Sequence, residues 1–303
     1  MPITPRITRR RLLQTAAAAS LVSVSPRLWS DPLGITPGIQ LFTVRADMLR
    51  NAQHTLQRLA AIGYKYVEGF VGETSLSEIE LRRQLDAVHL DMVSVHLPFN
   101  SKDMAPHFEY AHTLGARYVV SSTLAPDDVM GRKPEPGKNV LVTMTAEDYR
   151  HLADKVNLVA QQSKAAGFQY AYHNHYFELR DLGNGSIGYD ILLDHTDPAL
   201  VKFEIDCGWM VLAGHDPIHY MRSYPGRFRM LHIRDFLKGP IYTGGPNMSH
   251  PTELGRGRVD YRPIFREASK AGIVYYFVEQ EPPFEGLTPL QAAAADYSYL
   301  HAM

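Results

Sequence analysis

Residues 64–97 read YKYVEGFVGETSLSEIELRRQLDAVHLDMVSVHL, and this stretch decides the fold. Its first seven residues are rich in β-branched and aromatic side chains, as is the run 91–97 at its end. Between them Ser75-Leu76-Ser77-Glu78 has the S-x-x-E form of a capping box and is expected to open a helix running to about Val88. A strand, a helix and a second strand joined by short turns bring the second strand back parallel to the first.

The same unit repeats outward in both directions. Upstream, residues 38–44 (GIQLFTV) form the first expected strand, and residues 51–62 form a helix with Leu56, Leu59 and Ile62 on one side. Downstream, strands are expected at 117–121, 168–173, 201–206, 228–234 and 273–280. Helices are expected at 105–114, from Thr145 to Gly167, at 188–195, weakly at 219–224, at 260–271 and at 289–300. Gly167 is the expected helix stop. Eight such units in one chain of 303 residues predict an α/β fold, a single (β/α)8 TIM barrel over residues 36–303. No glycine-rich fingerprint follows the first strand, which argues against a dinucleotide fold. Two connections, 122–144 and 236–259, are long, and both follow strands, where barrel active sites lie.

Residues 1–30 read differently. Thr8-Arg9-Arg10-Arg11-Leu12-Leu13-Gln14 precedes a small, mildly apolar run from Thr15 to Val24. The order and the arginine pair are those of a twin-arginine export signal, and the run is too short to span a bilayer. The expected location is the periplasm, reached through the twin-arginine (Tat) machinery without a membrane span. That route carries folded proteins, so folding and metal loading would precede export.

Four consecutive strands end in groups that bind metals or move protons. The fifth ends in His173-Asn174-His175 with Glu178 close behind; the sixth in Glu204-Ile205-Asp206; the seventh in His232-Ile233-Arg234-Asp235; the eighth in Glu279-Gln280-Glu281. Side chains two apart on a strand share a face, so these pairs converge on one rim if the barrel closes. Crowded carboxylates and imidazoles repel or lose hydration at high cost unless a cation joins them. A mixed carboxylate and imidazole set suits one divalent ion, Mn, Co, Fe, Zn or Mg.

A formal net charge of -1 offers nothing to nucleic acid, whose binders carry a basic excess. One cysteine, Cys207, excludes an internal disulfide and any thiolate metal cluster, and reads as a small core residue.

Those strand ends sit in strings that resemble the sugar phosphate isomerase/epimerase family of xylose isomerase-like barrels. They are GIQLFTVR (38–45), AIGYKYVE (61–68), Val95-His96, YHNH (172–175) with Phe177-Glu178, IDCGW (205–209), LHIRD (231–235), LGRG (254–257) with Val259-Asp260-Tyr261, and FVEQ (277–280). The resemblance implies a metal held by Asp206, His232 and Glu279, with Glu178 or His173 as fourth ligand, since the family's strand-five glutamate is His173 here. It implies proton abstraction next to a metal-bound carbonyl, through an enediolate, by a sugar isomerase or epimerase. The His-Asn-His string is similar to inosose dehydratases and keto-sugar lyases, which begin with the same proton removal. Glu279 or His175 is the expected base, and His96 is expected to contact substrate or steer a proton. Glu178 could instead match a substrate-contacting glutamate. Arg234 and Lys238 are expected to neutralise developing negative charge, with Trp209 and Phe236 as apolar walls; Phe42 fits core packing better. A DNA-repair endonuclease shares the barrel but needs a richer histidine cluster, and a non-catalytic sugar-binding protein is the other rival.

Overall fold

The computed structural model describes residues 31–303 apart from 135, 137, 184 and 240–249; the expected export signal lies outside the described residues. Eight parallel strands close a barrel: β1 (Gly38–Gln40), β2 (Tyr66–Phe70), β3 (Asp91–His96), β4 (Tyr118–Ser121), β5 (Gln169–His173), β6 (Val201–Asp206), β7 (Phe228–Ile233) and β8 (Tyr275–Val278). Each pairs with its sequence neighbour, and Gly38 opposite Phe277 completes the ring. This is the (β/α)8 barrel that the alternating pattern predicts.

The two-residue period decides what each strand gives to which side. On β5 to β8, Tyr172, Phe203, Ile205, Leu231, Ile233, Tyr276 and Val278 face the helices in one continuous apolar core. The alternate positions turn inward. Val93, Val120, Ala171, Met230 and Phe277 plug the barrel as a separate apolar layer. Two residues further along their strands stand His173, His232 and Glu279, so polar chemistry begins where the plug ends.

Several boundaries differ from the sequence reading. The first helix begins at Arg45, not 51, after a 3-10 turn at Leu41–Val44, and continues to Ile62 through non-helical backbone at Asn51. The second helix is capped by Ser77, whose hydroxyl accepts from the Glu80 amide, and not by Ser75. A six-residue helix, Cys207–Leu212, follows β6 where none was expected, capped by Asp206 itself. The 122–144 connection holds a helical turn at Asp127–Met130 and a 3-10 turn at Val140–Thr143. Arg132 in it forms a two-pronged pair with Asp148, both bonds 2.7 Å, and Asp148 also closes the capping box with Thr145.

The other long connection is clasped by one carboxylate. Asp235, just past β7, accepts five backbone N–H groups, from Phe236, Gly255, Gly257, Arg258 and Val259, at 2.9–3.1 Å. Glycine is required at 257, because a Cβ there would stand 2.2 Å from Asp235 Oδ1 and 2.4 Å from the Phe236 carbonyl.

Burial also leaves a pH signature. Asp296, which accepts the Leu254 amide at 2.7 Å, is pushed up to about 8 by burial, and burial likewise pushes Glu73 up to about 8. Between the unfolded value of 3.8 and about 8 the folded chain holds a proton at Asp296 that the unfolded chain has released. Stability therefore falls as pH rises through that window. Asp296→Asn is expected to flatten this slope and raise the melting temperature at pH 9 by several degrees, with little change at pH 4. Parallel melts of the two proteins across pH would check it.

Candidate metal and substrate site

The site stands at the C-terminal mouth of the barrel. His173 ends β5, Asp206 ends β6, His232 lies one residue from the end of β7, and Glu279 follows β8. Each offers one ligand atom, all four atoms lie within 4.8 Å of one another, and all four residues are buried. His232 Nδ1 is 2.9 Å from Glu279 Oε2, and His173 Nε2 is 4.0 Å from Asp206 Oδ2. Asp206 Oδ1 is committed to the Trp209 amide at 2.8 Å, while Oδ2 has no hydrogen-bond partner of good geometry. The aspartate thus caps a helix with one oxygen and faces the cluster with the other.

Of the two residues that the strand-five position left open, the structure brings His173 to this group and turns Glu178 away. Glu178 sits in the 3-10 turn Phe177–Leu179, where its carboxylate accepts the Tyr172 hydroxyl and the His175 amide, both at 2.9 Å. Tyr172 belongs to the helix-facing side of β5, and burial pushes the Glu178 carboxyl up to about 8.

A lower tier lies one strand step deeper. Glu204 Oε2 is 3.2 Å from His173 Nδ1, 3.3 Å from His232 Nε2 and 3.5 Å from His96 Nε2. Glu68, on β2, accepts from His232 Nε2 at 2.6 Å, from His96 Nε2 at 2.9 Å and from Gln40 Nε2 at 2.8 Å. Burial pushes Glu204 up to about 7, with the Glu68 charge adding to it. Burial opposes a charged His96, but Glu68 and Glu204 outweigh it and lift that imidazole to about 9.

Arg234 is the permanent cation of the rim. Its Nε is 2.8 Å from Asp206 Oδ2, its Nη1 donates to Glu281 at 2.9 Å, and its Nη2 pairs with Glu279. The side chain reaches there because residue 208 is glycine; a Cβ at Gly208 would stand 2.3 Å from Arg234 Cγ. Three carboxylates, Asp206, Glu279 and Glu281, thus share one guanidinium, while Glu68 and Glu204 face only imidazoles and Gln40. The surplus of negative charge and the mixed nitrogen and oxygen donors fit a divalent ion, toward which Asp206 Oδ2 also faces beside Arg234 Nε.

Above the cluster is a cavity of about 270 Å³, lined by Gln40, Phe42, Phe70, His96, Ser122, Thr123, His173, His175, His232, Glu279 and Glu281. His175 points one ring nitrogen at the Ser122 carbonyl, 3.2 Å away, and burial followed by the nearby Arg234 charge pulls it down to about 3, so it is neutral. Phe42 and Phe70 meet edge to face at 5.3 Å and form the apolar wall. The residues expected to form that wall do not: Trp209 and Phe236 pack on each other at 4.9 Å, both buried, and neither lines the cavity. Lys238 is exposed and also absent from the lining. Sequence reasoning passed over Gln40, Glu68, Phe70 and Ser122. The one available signal was the inward parity of Gln40, Glu68 and Phe70 on β1 and β2.

Comparison with known proteins agrees with this architecture. Residues 56–300 match the family described as Xylose isomerase-like TIM barrel. Inosose dehydratase of Clostridium beijerinckii is 24% identical over 262 residues, covering 77% of this chain and 85% of that protein. Inosose dehydratase of Lacticaseibacillus casei is 24% identical over 280 residues, covering 82% and 89%. A solved sugar phosphate isomerase/epimerase from Parabacteroides distasonis superposes with a TM-score of 0.68 at 25% identity, over 88% of this chain and 93% of that one. The structure of an IolI protein with a bound zinc atom shares the fold, with a TM-score of 0.63 at 15% identity, over 88% and 98%. With a match spanning four fifths of its length and a closed eight-stranded barrel, the chain belongs to the xylose isomerase-like TIM barrel family.

Proposed function

We propose that the protein is a divalent-metal-dependent enzyme that removes the proton beside a ketone of a small polyhydroxylated substrate, an inosose or keto-sugar, and expels the β-hydroxyl as water. The observation that carries this reading is the convergence of His173, Asp206, His232 and Glu279 at the floor of a cavity. A volume of about 270 Å³ lies just below the usual range of ligand pockets, roughly 300–1,000 Å³, and suits a single ring. The zinc of the IolI structure and the dehydratase relatives support the metal and the lyase outcome respectively.

The cation would supply positive charge against the oxygen that becomes negative as the proton leaves. The chain's own groups do the rest. His175, neutral and held through one ring nitrogen by Ser122, presents the other as a proton acceptor toward the cavity. Arg234 keeps Glu281 ionised, outweighing burial, so Glu281 is a second acceptor at the same wall. His96 reaches the cavity while its Nε2 is held by Glu68, and as a cation it can return a proton to the departing hydroxyl. One proton leaves carbon, one reaches the hydroxyl, a carbon–carbon double bond forms and water departs. Isomerisation or epimerisation shares the first step and returns the proton to carbon; the Parabacteroides distasonis structure supports this second reading.

The test is proton exchange. Metal-loaded protein is incubated in D2O with inososes, 3-keto-glycosides and free ketoses and followed by NMR. Exchange beside the carbonyl, abolished by a chelator and restored by the ion, is expected, with an unsaturated product from the dehydration substrate. No exchange with any of these carbonyl compounds by protein shown to hold the ion would overturn the reading. Export is proposed with it: Arg9→Lys with Arg10→Lys is expected to hold the precursor in the cytoplasm, and fractionation with undiminished periplasmic protein would refute it.

A further inference from the structure

The two ligand imidazoles are each gripped from below. His232 gives Nδ1 to the rim, 2.9 Å from Glu279, and Nε2 to the lower tier, 2.6 Å from Glu68. His173 turns Nε2 toward Asp206 and Nδ1 toward Glu204 at 3.2 Å. A neutral imidazole has one lone pair and one N–H, so the lower contacts decide which nitrogen can bind an ion. We propose that Glu68 and Glu204 are positioning residues: Glu68 takes the inner N–H of His232, Glu204 sets its negative charge 3.2 Å from the inner nitrogen of His173 and so favours the proton there, and together they aim both lone pairs at the rim. This rests on the metal reading above and adds residues that touch neither ion nor substrate.

Three observations favour it over an ion in the lower tier itself. The upper set holds two carboxylates, Asp206 and Glu279, and Glu279 lines the cavity, whereas the lower donors His96, His173, Glu204 and His232 include one carboxylate, Glu204, which is fully buried beneath it. Glu68 Oε1 already accepts three N–H groups, from Gln40, His96 and His232, at hydrogen-bond distance, so the oxygen that faces the imidazoles is saturated without a cation. An ion bound at both levels would strip both protons from His173 and His232. A carboxylate behind a ligand histidine fixes its tautomer and orientation and raises its basicity. Here one tier of two carboxylates serves two ligands, and Gln40 anchors Glu68 from β1.

The test uses the whole protein freed of metal and titrated with Co2+, by calorimetry and by the visible absorption of the bound ion. Glu68→Gln is expected to weaken cobalt binding about 10–100-fold and to shift the absorption bands, Glu68→Ala to weaken it further, and Glu204→Gln to weaken it at least ~10-fold. The melting point of the metal-free protein separates these effects from damage to the fold, and Glu204→Gln reads the same tier if Glu68→Ala does not fold. Wild-type affinity and an unchanged spectrum in folded Glu68→Gln would overturn the proposal alone. So would retention of the ion in Asp206→Asn and Glu279→Gln with its complete loss in Glu68→Gln and Glu204→Gln, because the ion would then lie in the lower tier. Wild-type protein that takes up no cobalt would overturn both this proposal and the metal reading it rests on.

Discussion

Replacing any one of Asp206, His232 or Glu279 by alanine is expected to reduce bound metal from about one equivalent to near zero, with the barrel still folded. Each contributes one of four converging ligand atoms, and loss of a ligand should exceed the ~10–100-fold that removal of an outer partner costs. The alanine variants should keep the far-ultraviolet spectrum of the parent, since none of the three residues belongs to the apolar plug or the helix-facing core. The same measurement decides strand five. His173→Ala should lose the ion and Glu178→Gln should keep it, because Glu178 is spent on Tyr172 and the His175 amide. Elemental analysis after dialysis reads both; a full equivalent of metal in Asp206→Ala or Glu279→Ala would remove the proposed ligand set.

Asp235→Ala should be the most damaging change outside the ligands. It would leave five backbone N–H groups without their acceptor around a residue with no exposed surface. Each buried donor left unpaired costs about 1–3 kcal/mol. Even if water reaches some of them, a loss of roughly 4 kcal/mol or more is expected, a fall in melting temperature on the order of 10 °C. Asparagine at this position should recover part of the loss, because its oxygen can accept from Phe236, Arg258 and Val259 while its NH2 stands against the Gly255 and Gly257 amides. A thermal melt is sufficient, and a drop of only a degree or two would show that the clasp is not what holds residues 255–259 to the barrel.

Much of the fold was legible because its signals are local. The period of two in VKFEID and FRMLHI, and Thr145 with Asp148 at a helix start, act within a few residues. The errors also have local causes. Ser75 and Ser77 both precede acidic residues, and only the backbone decides which one caps. The segment after Val44 is polar enough to hide a helix whose first turns bury little beyond Met48 and Ala52. The rim was legible from pairs two apart on β5 to β8. Of the lower tier only Glu204 and His96 were, because Glu68 and Gln40 reach it only once β1 closes against β8, a pairing of residues 239 apart, Gly38 with Phe277, that no local pattern reports. Trp209 and Phe236 misled for a related reason. An aromatic near a strand end looks like a wall, but the unexpected helix after Asp206 rotates Trp209 onto Phe236 and out of the cavity.

The cavity has two unlike cheeks, the phenyl rings of Phe42 and Phe70 on one and the acidic, imidazole-bearing floor on the other. Sugar rings and inososes are themselves two-sided wherever their axial hydroxyls cluster on one side. Inserted one way up, such a molecule lays C–H bonds on the phenyls and hydroxyls toward the floor; flipped over, it strands hydroxyls against hydrocarbon with no acceptor in reach. Epimers that move a hydroxyl onto the phenyl-facing side should therefore bind less well before any bond is broken, so on the proposed function two uncharged phenylalanines would choose which face of the ring meets the floor.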